Sequence, residues 1–435
     1  MSSSQVDSPS LLGVLGQSEE QLPLTGIRVL DLTRVWAGPF ATRHLADLGA
    51  EVVRLEHPNA RGPAGVRSNG GLRGGIYPGG QPAPEPWNRQ GAVNKLNRNK
   101  LSLCLDVGKP GGLDILRQLI VKSDVLIENF SARVMPNWDL DWESLHALNS
   151  RLVYLSMPGF GRTGPRRDFV AVGAMIEPHA GLSSLMAYDE SQPYRTQATY
   201  SDPLIGVVAA WAVVAALLRR QQTGEGSLVD LAHTEATTRL IGAEIIASQG
   251  EAWAPTYGNR DPVFIPQGVF PCRGDDAWIA ITVQTEAAWR GLCRVLERDD
   301  WSADTSLGTS VGRAHRQDEL EEGIAEWTAG QDKLEAMEAL QKAGVAAGAV
   351  LTNQEMVENH VLAPDFFVPI EENWGETVPY PRFPAPIEGM ERHSWHRAPR
   401  LGEHNRLVLM KLLGKTDKEI NELEQAGTIA HRPGF

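Results

Sequence analysis

Ile27-Arg28-Val29-Leu30-Asp31-Leu32, a turn from Thr33 to Gly38, a run from Pro39 to Leu48 closed by Gly49, and then Glu51-Val52-Val53-Arg54-Leu55-Glu56 decide the fold. The two outer pieces are short, rich in apolar and β-branched residues, and bounded by turn residues, so they read as strands. Pro39 sits where a first helical turn tolerates proline, and Gly49 is a stop signal, so the middle piece reads as a helix. Strand, helix and strand within about 30 residues is the βαβ unit of a parallel sheet.

The alternation continues outward. Leu101–Leu105 reads as a strand, followed by a helix from Pro110 with Leu113, Leu116, Leu119 and Ile120 on one face. Val125–Asn129 reads as a strand, Trp142–Leu148 as a short helix and Leu152–Met157 as a strand. This pattern predicts an α/β fold with a Rossmann-like, doubly wound parallel sheet. The longest apolar run, Pro203 to Leu218, is shorter than a comfortable membrane span and reads as a buried helix. Ser227–Ala232 and His233–Ser248 read as a strand and a helix. Residues 249–270 look like a loop. A smaller α/β domain follows: a strand at Ala277–Val283, a helix through Val295, helices near Arg316–Trp327 and Lys333–Ala343, and a strand at Gly344–Leu351. Prolines recur from Pro364 to Pro399 and predict extended chain, before closing helices at Leu407–Leu413 and Asp417–Ala426. The expected organisation is a flexible N-terminus (1–22), a large domain (23–225), a connecting strand and helix (226–249), a small domain (250–345) and a C-terminal return onto the large domain (346–435). Residues 59–94 are Gly-, Pro- and Arg-rich without periodicity, and so long a loop is usually functional or disordered.

The 435 residues carry a formal charge of −13, which disfavours nucleic acid or an anionic membrane as partner. Cys104, Cys272 and Cys293 are far apart and in no metal-ligand spacing, which predicts no disulfide framework, no metal site and a reducing cytoplasm. The first 22 residues lack the basic and apolar regions of a signal peptide.

Two motifs bear on chemistry. Asp202-Pro203 precedes the apolar run and reads as a helix N-cap and first helical residue. Gly159-Phe160-Gly161-Arg162-Thr163-Gly164 matches the dinucleotide fingerprint literally. Its context does not match: Pro165-Arg166-Arg167-Asp168 follows where a helix should start, and the fingerprint belongs to the first βα turn. An NAD-dependent oxidoreductase is therefore disfavoured.

Ten segments in order resemble the class III coenzyme A transferases, the family of carnitine, formyl-CoA and bile-acid CoA-transferases. They are Gly26–Leu32; Ala37-Gly38-Pro39; Gly49–Pro58; Asn97-Arg98-Asn99-Lys100; Asp124–Phe130; Gly159–Pro165; Asp202 with Gly206; Thr223-Gly224-Glu225-Gly226; Pro266–Cys272; and Leu401-Gly402-Glu403-His404. Together they span about Leu22 to Ile429. The resemblance implies transfer of CoA from an acyl-CoA donor to a carboxylic acid, with Asp202 as nucleophile and mixed-anhydride and aspartyl-CoA thioester intermediates. It implies no permanently bound cofactor, since the CoA thioester is a substrate. It further implies an interlocked dimer, either a homodimer or a heteromer with a paralogous subunit. Candidate contacts for CoA and substrate are Arg34, Val35, Trp36, Ala37, His57, Leu105, Asn129, Phe130, Ser131, Asn137, Val172 and Gly173. Arg54, Lys100 and Arg133 join them as cations for phosphate.

Some positions depart from the family pattern. Where some members carry an acid this chain reads Val172-Gly173-Ala174-Met175, with Glu177 the nearest acid. Trp36 stands where some members have Gln, and the Gly-rich lid run of formyl-CoA transferase is not seen, which disfavours formyl or oxalyl transfer. The tryptophans fit either ordinary core and interface packing or a larger, aromatic acid such as an arylsuccinate; a dicarboxylate is the other acceptor class expected. An acyl-CoA racemase of the same fold would need a histidine at Val172, which cannot move a proton. A non-catalytic subunit would have lost the nucleophile, whereas Asp202 is present.

Overall fold

The computed structural model describes residues 9–15, 22–59, 77, 84–188, 192–196, 199–250, 258–358, 366–390 and 395–434. Most of the 59–94 loop and part of the 249–270 stretch lie outside the described residues.

The larger of two compact units comprises residues 1–180, 196–241 and 364–435. Its centre is a six-stranded, all-parallel sheet of β1 (Arg28–Asp31), β2 (Glu51–Glu56), β3 (Leu101–Cys104), β4 (Val125–Glu128), β5 (Val153–Ser156) and β6 (Ser227–Asp230). The spatial order is β3-β2-β1-β4-β5-β6, so the winding reverses between β1 and β4. That reversal defines a doubly wound sheet and opens a crevice at the carboxyl ends of these two strands.

Alternation along the strands builds two cores. Val29, Val52, Val125 and Val153 stand in register and are buried on one face, with Ala41 and Leu45 of α2 (Ala37–Asp47) and Ile205, Ala209 and Val213 of a long helix at Ser201–Thr223. Their neighbours Leu30, Val53, Leu126 and Tyr154 face the other way. They meet Leu116 and Leu119 of the helix at Gly112–Val121, and Val408, Leu409 and Ile420 of two C-terminal helices. Each fully buried Val, Leu or Ile contributes about 1.5–3 kcal/mol relative to exposure, so the two cores dominate this unit's stability.

Within the expected N-terminal segment, the described stretch 9–15 contains a helical turn, α1 (Leu11–Val14). Leu11 is buried in the sheet's core and its N–H donates to Glu51 Oε2 at 2.6 Å. The sheet helices after α2 are α3 (Gly112–Val121), α4 (Trp142–Leu148), α5 (Gly173–His179), α6 (Ser201–Thr223), α7 (His233–Thr238), α8 (Asn405–Leu413) and α9 (Asp417–Gln425). Residues 233–248, read as one helix, are three pieces: α7, a 3-10 turn at Arg239–Ile241 and a short helix at Gly242–Ala247. The hydroxyls of Thr237 and Thr238 donate to the carbonyls of His233 and Thr234 (2.9 and 2.8 Å), and such back-bonding bends helices.

The C-terminal segment covers the sheet's β3 edge. Ser102 N–H donates to His404 Nδ1 (3.1 Å), His404 N–H to Ser102 O (3.0 Å), and Cys104 N–H to Asn405 Oδ1 (2.8 Å). The proline-rich stretch contains a hairpin, Phe367–Glu371 with Thr377–Pro381, that the sequence reading left as extended chain. A two-stranded ribbon is all edge, so it tolerates Pro369, Pro379 and Pro381.

The second unit, residues 181–195 and 242–363, has its own antiparallel sheet of Gln267–Pro271, Trp278–Thr282 and Ala346–Ala349. Ile279, Ile281, Trp289, Trp301, Leu320, Ile324 and Leu340 form its core. Its first strand was hidden in a loop-like stretch because Pro266, Gly268 and Pro271 mask the alternation.

Candidate active site

The helix α6 is 23 residues long and apolar enough to span a membrane by length and composition. In this fold it is a core helix, with Ile205, Gly206, Ala209 and Val213 buried. It begins two residues earlier than Asp-Pro suggests. Ser201 is the first helical residue, Asp202 the second and Pro203 the third, while Tyr200 holds the N-cap position without a side-chain cap bond. Asp202 is therefore not the N-cap. The chain turns at Thr199, whose φ of 49° lies in the left-handed region and whose carbonyl accepts the Asp202 N–H at 3.1 Å. A β-branched residue held there costs on the order of 1–3 kcal/mol, and such strain concentrates at functional sites. Pro203 is tolerated because the first turn's N–H groups have no intrahelical acceptor.

The missing cap comes from α5. Glu177 is fully buried and accepts from Ser201 N–H (3.2 Å), from the Thr196 hydroxyl (2.8 and 2.9 Å) and from Thr196 N–H (3.3 Å). The first residue of α5, Gly173, lies against Asp202. A Cβ at position 173 would stand 2.4 Å from Asp202 Oδ2 and 2.4 Å from Thr199 Cγ2, so only glycine permits this approach. Asp202 is 8% exposed. Burial, and then the Glu177 carboxylate, push its carboxyl up to about 6. No hydrogen bond from a described residue reaches that carboxylate.

One turn along α6, Gly206 presses on the start of α2. A Cβ there would be 2.8 Å from Ala37 O and 2.7 Å from Phe40 Cδ1. Four residues of helix rise about 6 Å, so Asp202 stands within a turn of Ala37. Trp36 precedes Ala37 at the N-cap position of α2, and Lys95 Nζ lies 4.2 Å from the centroid of its indole. Val35 is 83% exposed at a φ of 67°, a second β-branched residue in the left-handed region. Arg34 N–H donates to Asn129 Oδ1 and Asn129 Nδ2 donates to Arg34 O, both at 2.8 Å. This reciprocal pair ties the loop after β1 to the loop after β4 at the winding reversal.

The other expected contacts follow the carboxyl edge of the same strands. His57, after β2, is half-exposed, with Nε2 3.5 Å from Asp106 Oδ2. Leu105, after β3, is buried. Phe130 packs edge-on against Trp138 at 5.8 Å, and Ser131 opens the turn before Val134–Asn137. Arg133 and Asn137 are exposed on that turn, and Val172 is 57% exposed beside Gly173. The structure thus joins Ala37, Gly173 and Asp202 through α6, and Arg34 with Asn129, while Arg133 and Asn137 stay apart from Asp202.

Two of the cations expected for phosphate are committed elsewhere. The Lys100 side chain is fully buried, and its Nζ lies within hydrogen-bond distance of Asp31 Oδ2 (3.2 Å), Pro39 O (2.9 Å), Thr42 Oγ1 (2.7 Å) and Asn97 Oδ1 (2.9 Å). An ammonium has three protons, and these acceptors use them all. Arg54 is buried with Nη1 3.0 Å from Glu56 Oε1. Neither side chain is presented to a ligand. Glu177, outside the expected contact set, holds the start of α6; its one signal in the sequence is an acid directly after the run Gly173-Ala174-Met175-Ile176. The Gly159–Gly164 loop holds Arg162 N–H against the Asp230 carboxylate (3.1 Å), and no helix begins before Gly173, so the dinucleotide geometry is missing.

Residues 24–405 match the family model for CoA-transferase family III. The chain is similar to succinyl-CoA–D-citramalate CoA-transferase of Chloroflexus aurantiacus, 30% identical over 417 residues, 92% of this chain and 97% of that one. It is also similar to succinate–glutarate CoA-transferase of Agrobacterium fabrum, 30% identical over 400 residues, 90% of this chain and 96% of that one. Among solved structures, a CaiB/BaiF family protein from Brucella suis superposes with a TM-score of 0.78 at 26% identity, over 90% of this chain and 99% of that one. A family match over most of the length, two related transferases covered almost whole and a shared fold lead to one conclusion: the chain is an enzyme of the transferase type and belongs to CoA-transferase family III.

Proposed function

We propose that this enzyme moves CoA from an acyl-CoA donor to a carboxylic acid acceptor with Asp202 as nucleophile. The observation that carries the reading is a buried carboxylate at the start of a long helix, with no hydrogen-bond donor among the described residues and facing a residue without a side chain. An Asp202 oxygen attacks the thioester carbonyl; the C–S bond breaks, leaving a mixed anhydride and CoA thiolate. The thiolate attacks the Asp202 acyl carbon, releasing the donor's acid and leaving an aspartyl-CoA thioester. The acceptor carboxylate attacks that thioester, and the same two steps run in reverse. A free carboxylate is a weak nucleophile, and water exclusion plus a raised proton affinity strengthen it. The N–H groups of Ser201 and Asp202 are already engaged, so α6 contributes the positive end of its dipole rather than hydrogen bonds.

The relatives are named for succinyl-CoA, D-citramalate and glutarate, so dicarboxylic acids are the substrate class to try first, with arylsuccinates beside them. CoA would lie along the carboxyl edge, by Trp36, Ala37, His57, Asn129 and Phe130. Assembly as a homodimer, or with a paralogous subunit, belongs to the same reading. It is supported by Val207, Trp211 and Leu218, which leave a helical stripe of α6 exposed; light scattering that finds a stable monomer at micromolar concentration would count against it.

The deciding experiment is incubation with acyl-CoA in the absence of acceptor. CoA should become attached through Asp202, trappable by hydroxylamine or borohydride on the peptide between Thr196 and Arg219. Active transfer with no adduct on that peptide would mean that the acyl group passes directly between substrates.

A further inference from the structure

The covalent route explains why Asp202 is buried but not why a second carboxylate is buried with it. Glu177 is fully inaccessible, and its partners are all donors: Thr196 N–H, the Thr196 hydroxyl and Ser201 N–H. Ser201 and Thr196 flank the strained Thr199 turn that delivers Asp202. These donors fix it on the helix end from which Asp202 projects.

We propose that Glu177 is a positioning residue of the transfer reaction: it holds the turn that presents Asp202, and it keeps a second negative charge there, favouring the neutral, covalent states of Asp202 over its free carboxylate. The charge balance follows from the steps above. When Asp202 attacks, its negative charge leaves on the CoA thiolate, and the anhydride ester left at Asp202 is neutral. When the thiolate returns, the charge leaves again with the donor's acid, and the aspartyl thioester is neutral. In each case the repulsion between two buried carboxylates is relieved, and it returns only when free Asp202 is regenerated. Burying an anion beside a like charge without a counterion is costly unless that cost is used, and here the reaction uses it.

Other charged groups do not supply the effect. The elements packed on α5 and α6 carry Arg43, His44 and Asp47 on α2, Asp230 on β6, His179 on α5, and His233 and Glu235 on α7. Among the charged groups of the described residues, only Glu177 acts appreciably on Asp202. The inference rests on Asp202 as nucleophile, and the experiment separates the two.

Glu177→Gln keeps the length and an oxygen acceptor for Ser201 N–H but removes the charge. The variant should still form the Asp202 adduct, because the nucleophile is intact. Its steady-state adduct occupancy and kcat at pH 7.5 should fall about tenfold, the effect of a charge worth roughly one pKa unit, with KM for acyl-CoA changed less than about twofold. Activity requires ionised Asp202, so the wild-type acid limb should lie near pH 6, and in Glu177→Gln it should move to lower pH. Glu177→Asp keeps the charge and should hold the limb above that of Glu177→Gln. If Glu177→Gln does not fold, Glu177→Met provides a second neutral variant with the same expected shift. An unmoved limb in a folded neutral variant, or equal limbs in the Gln and Asp variants, overturns the role of the charge. Absence of the adduct in the wild type overturns the nucleophile instead.

Discussion

Two aspartates are buried in the same unit and meet opposite fates. Asp31, at the end of β1, is fully buried, and that burial alone would raise its proton affinity. Lys100, the hydroxyls of Thr33 and Thr42, and Arg54 outweigh burial and hold the carboxyl below its ordinary range. Burial in turn pulls the Lys100 ammonium down to about 8, against the pull of Asp31. Asp202 is also buried, though less completely, but its charged neighbour is another carboxylate, and its carboxyl rises to about 6. Burial alone does not set a buried acid's proton affinity; the inventory of donors and countercharges around it does. Asp31 has every lone pair engaged and fastens β1 to α2. Asp202 accepts no hydrogen bond from a described residue, the state the proposed nucleophile requires.

The largest test of that contrast is loss of a carboxylate oxygen from Asp202. Asp202→Asn should lower transfer by at least about a thousandfold, the scale for removing a nucleophile, with the circular dichroism of the fold unchanged. Turnover near wild type would put the chemistry elsewhere. Next is Lys100→Met, which strands a buried anion and should destabilise the protein by about 3–5 kcal/mol in urea titration. It should leave the acid limb of whatever activity survives where it was. A loss below about 1 kcal/mol would mean that Asp31 is not held by its ion pair. The smallest effect is the stability of Asp202 itself. Its folded-state value of about 6 lies above the ordinary 3.8, so the folded state binds the proton more tightly, and stability falls as pH rises through that window. Above about pH 6 the full penalty is present. Asp202→Asn should therefore be more stable than wild type by on the order of 1–3 kcal/mol at pH 8, with the difference closing toward pH 4. A constant difference across that range would show that Asp202 carries no penalty of burial.

The sheet was readable from local pattern. β2 matches its expected limits, and the other sheet strands differ by a residue or two at their ends, because short apolar runs between turn signals leave the chain few options. Asp202 stands out in the sequence only through ten segments that resemble a family, not through its neighbours; the Asp-Pro step points to a cap, and the actual cap, Glu177, lies 24 residues before Ser201. Lys100 and Arg54 looked like surface cations because a sequence does not show that Lys100 meets Asp31 across 69 residues. Glu177 was visible only as the nearest acid to an atypical segment. Its role depends on Gly173 and Thr199 converging on Asp202, a contact that no periodicity encodes.

The stitching of the C-terminal segment to β3 also has a consequence for biosynthesis. The N–H groups of Ser102 and Cys104 wait for His404 and Asn405, about 300 residues later in the chain. At a synthesis rate of about 5–20 residues per second, that interval is roughly 15–60 s. Throughout it the nascent sheet can pair its inner strands but must carry an open edge, available to any extended segment that meets it. The β3 edge is therefore closed only after His404 and Asn405 have emerged, long after the strands it borders.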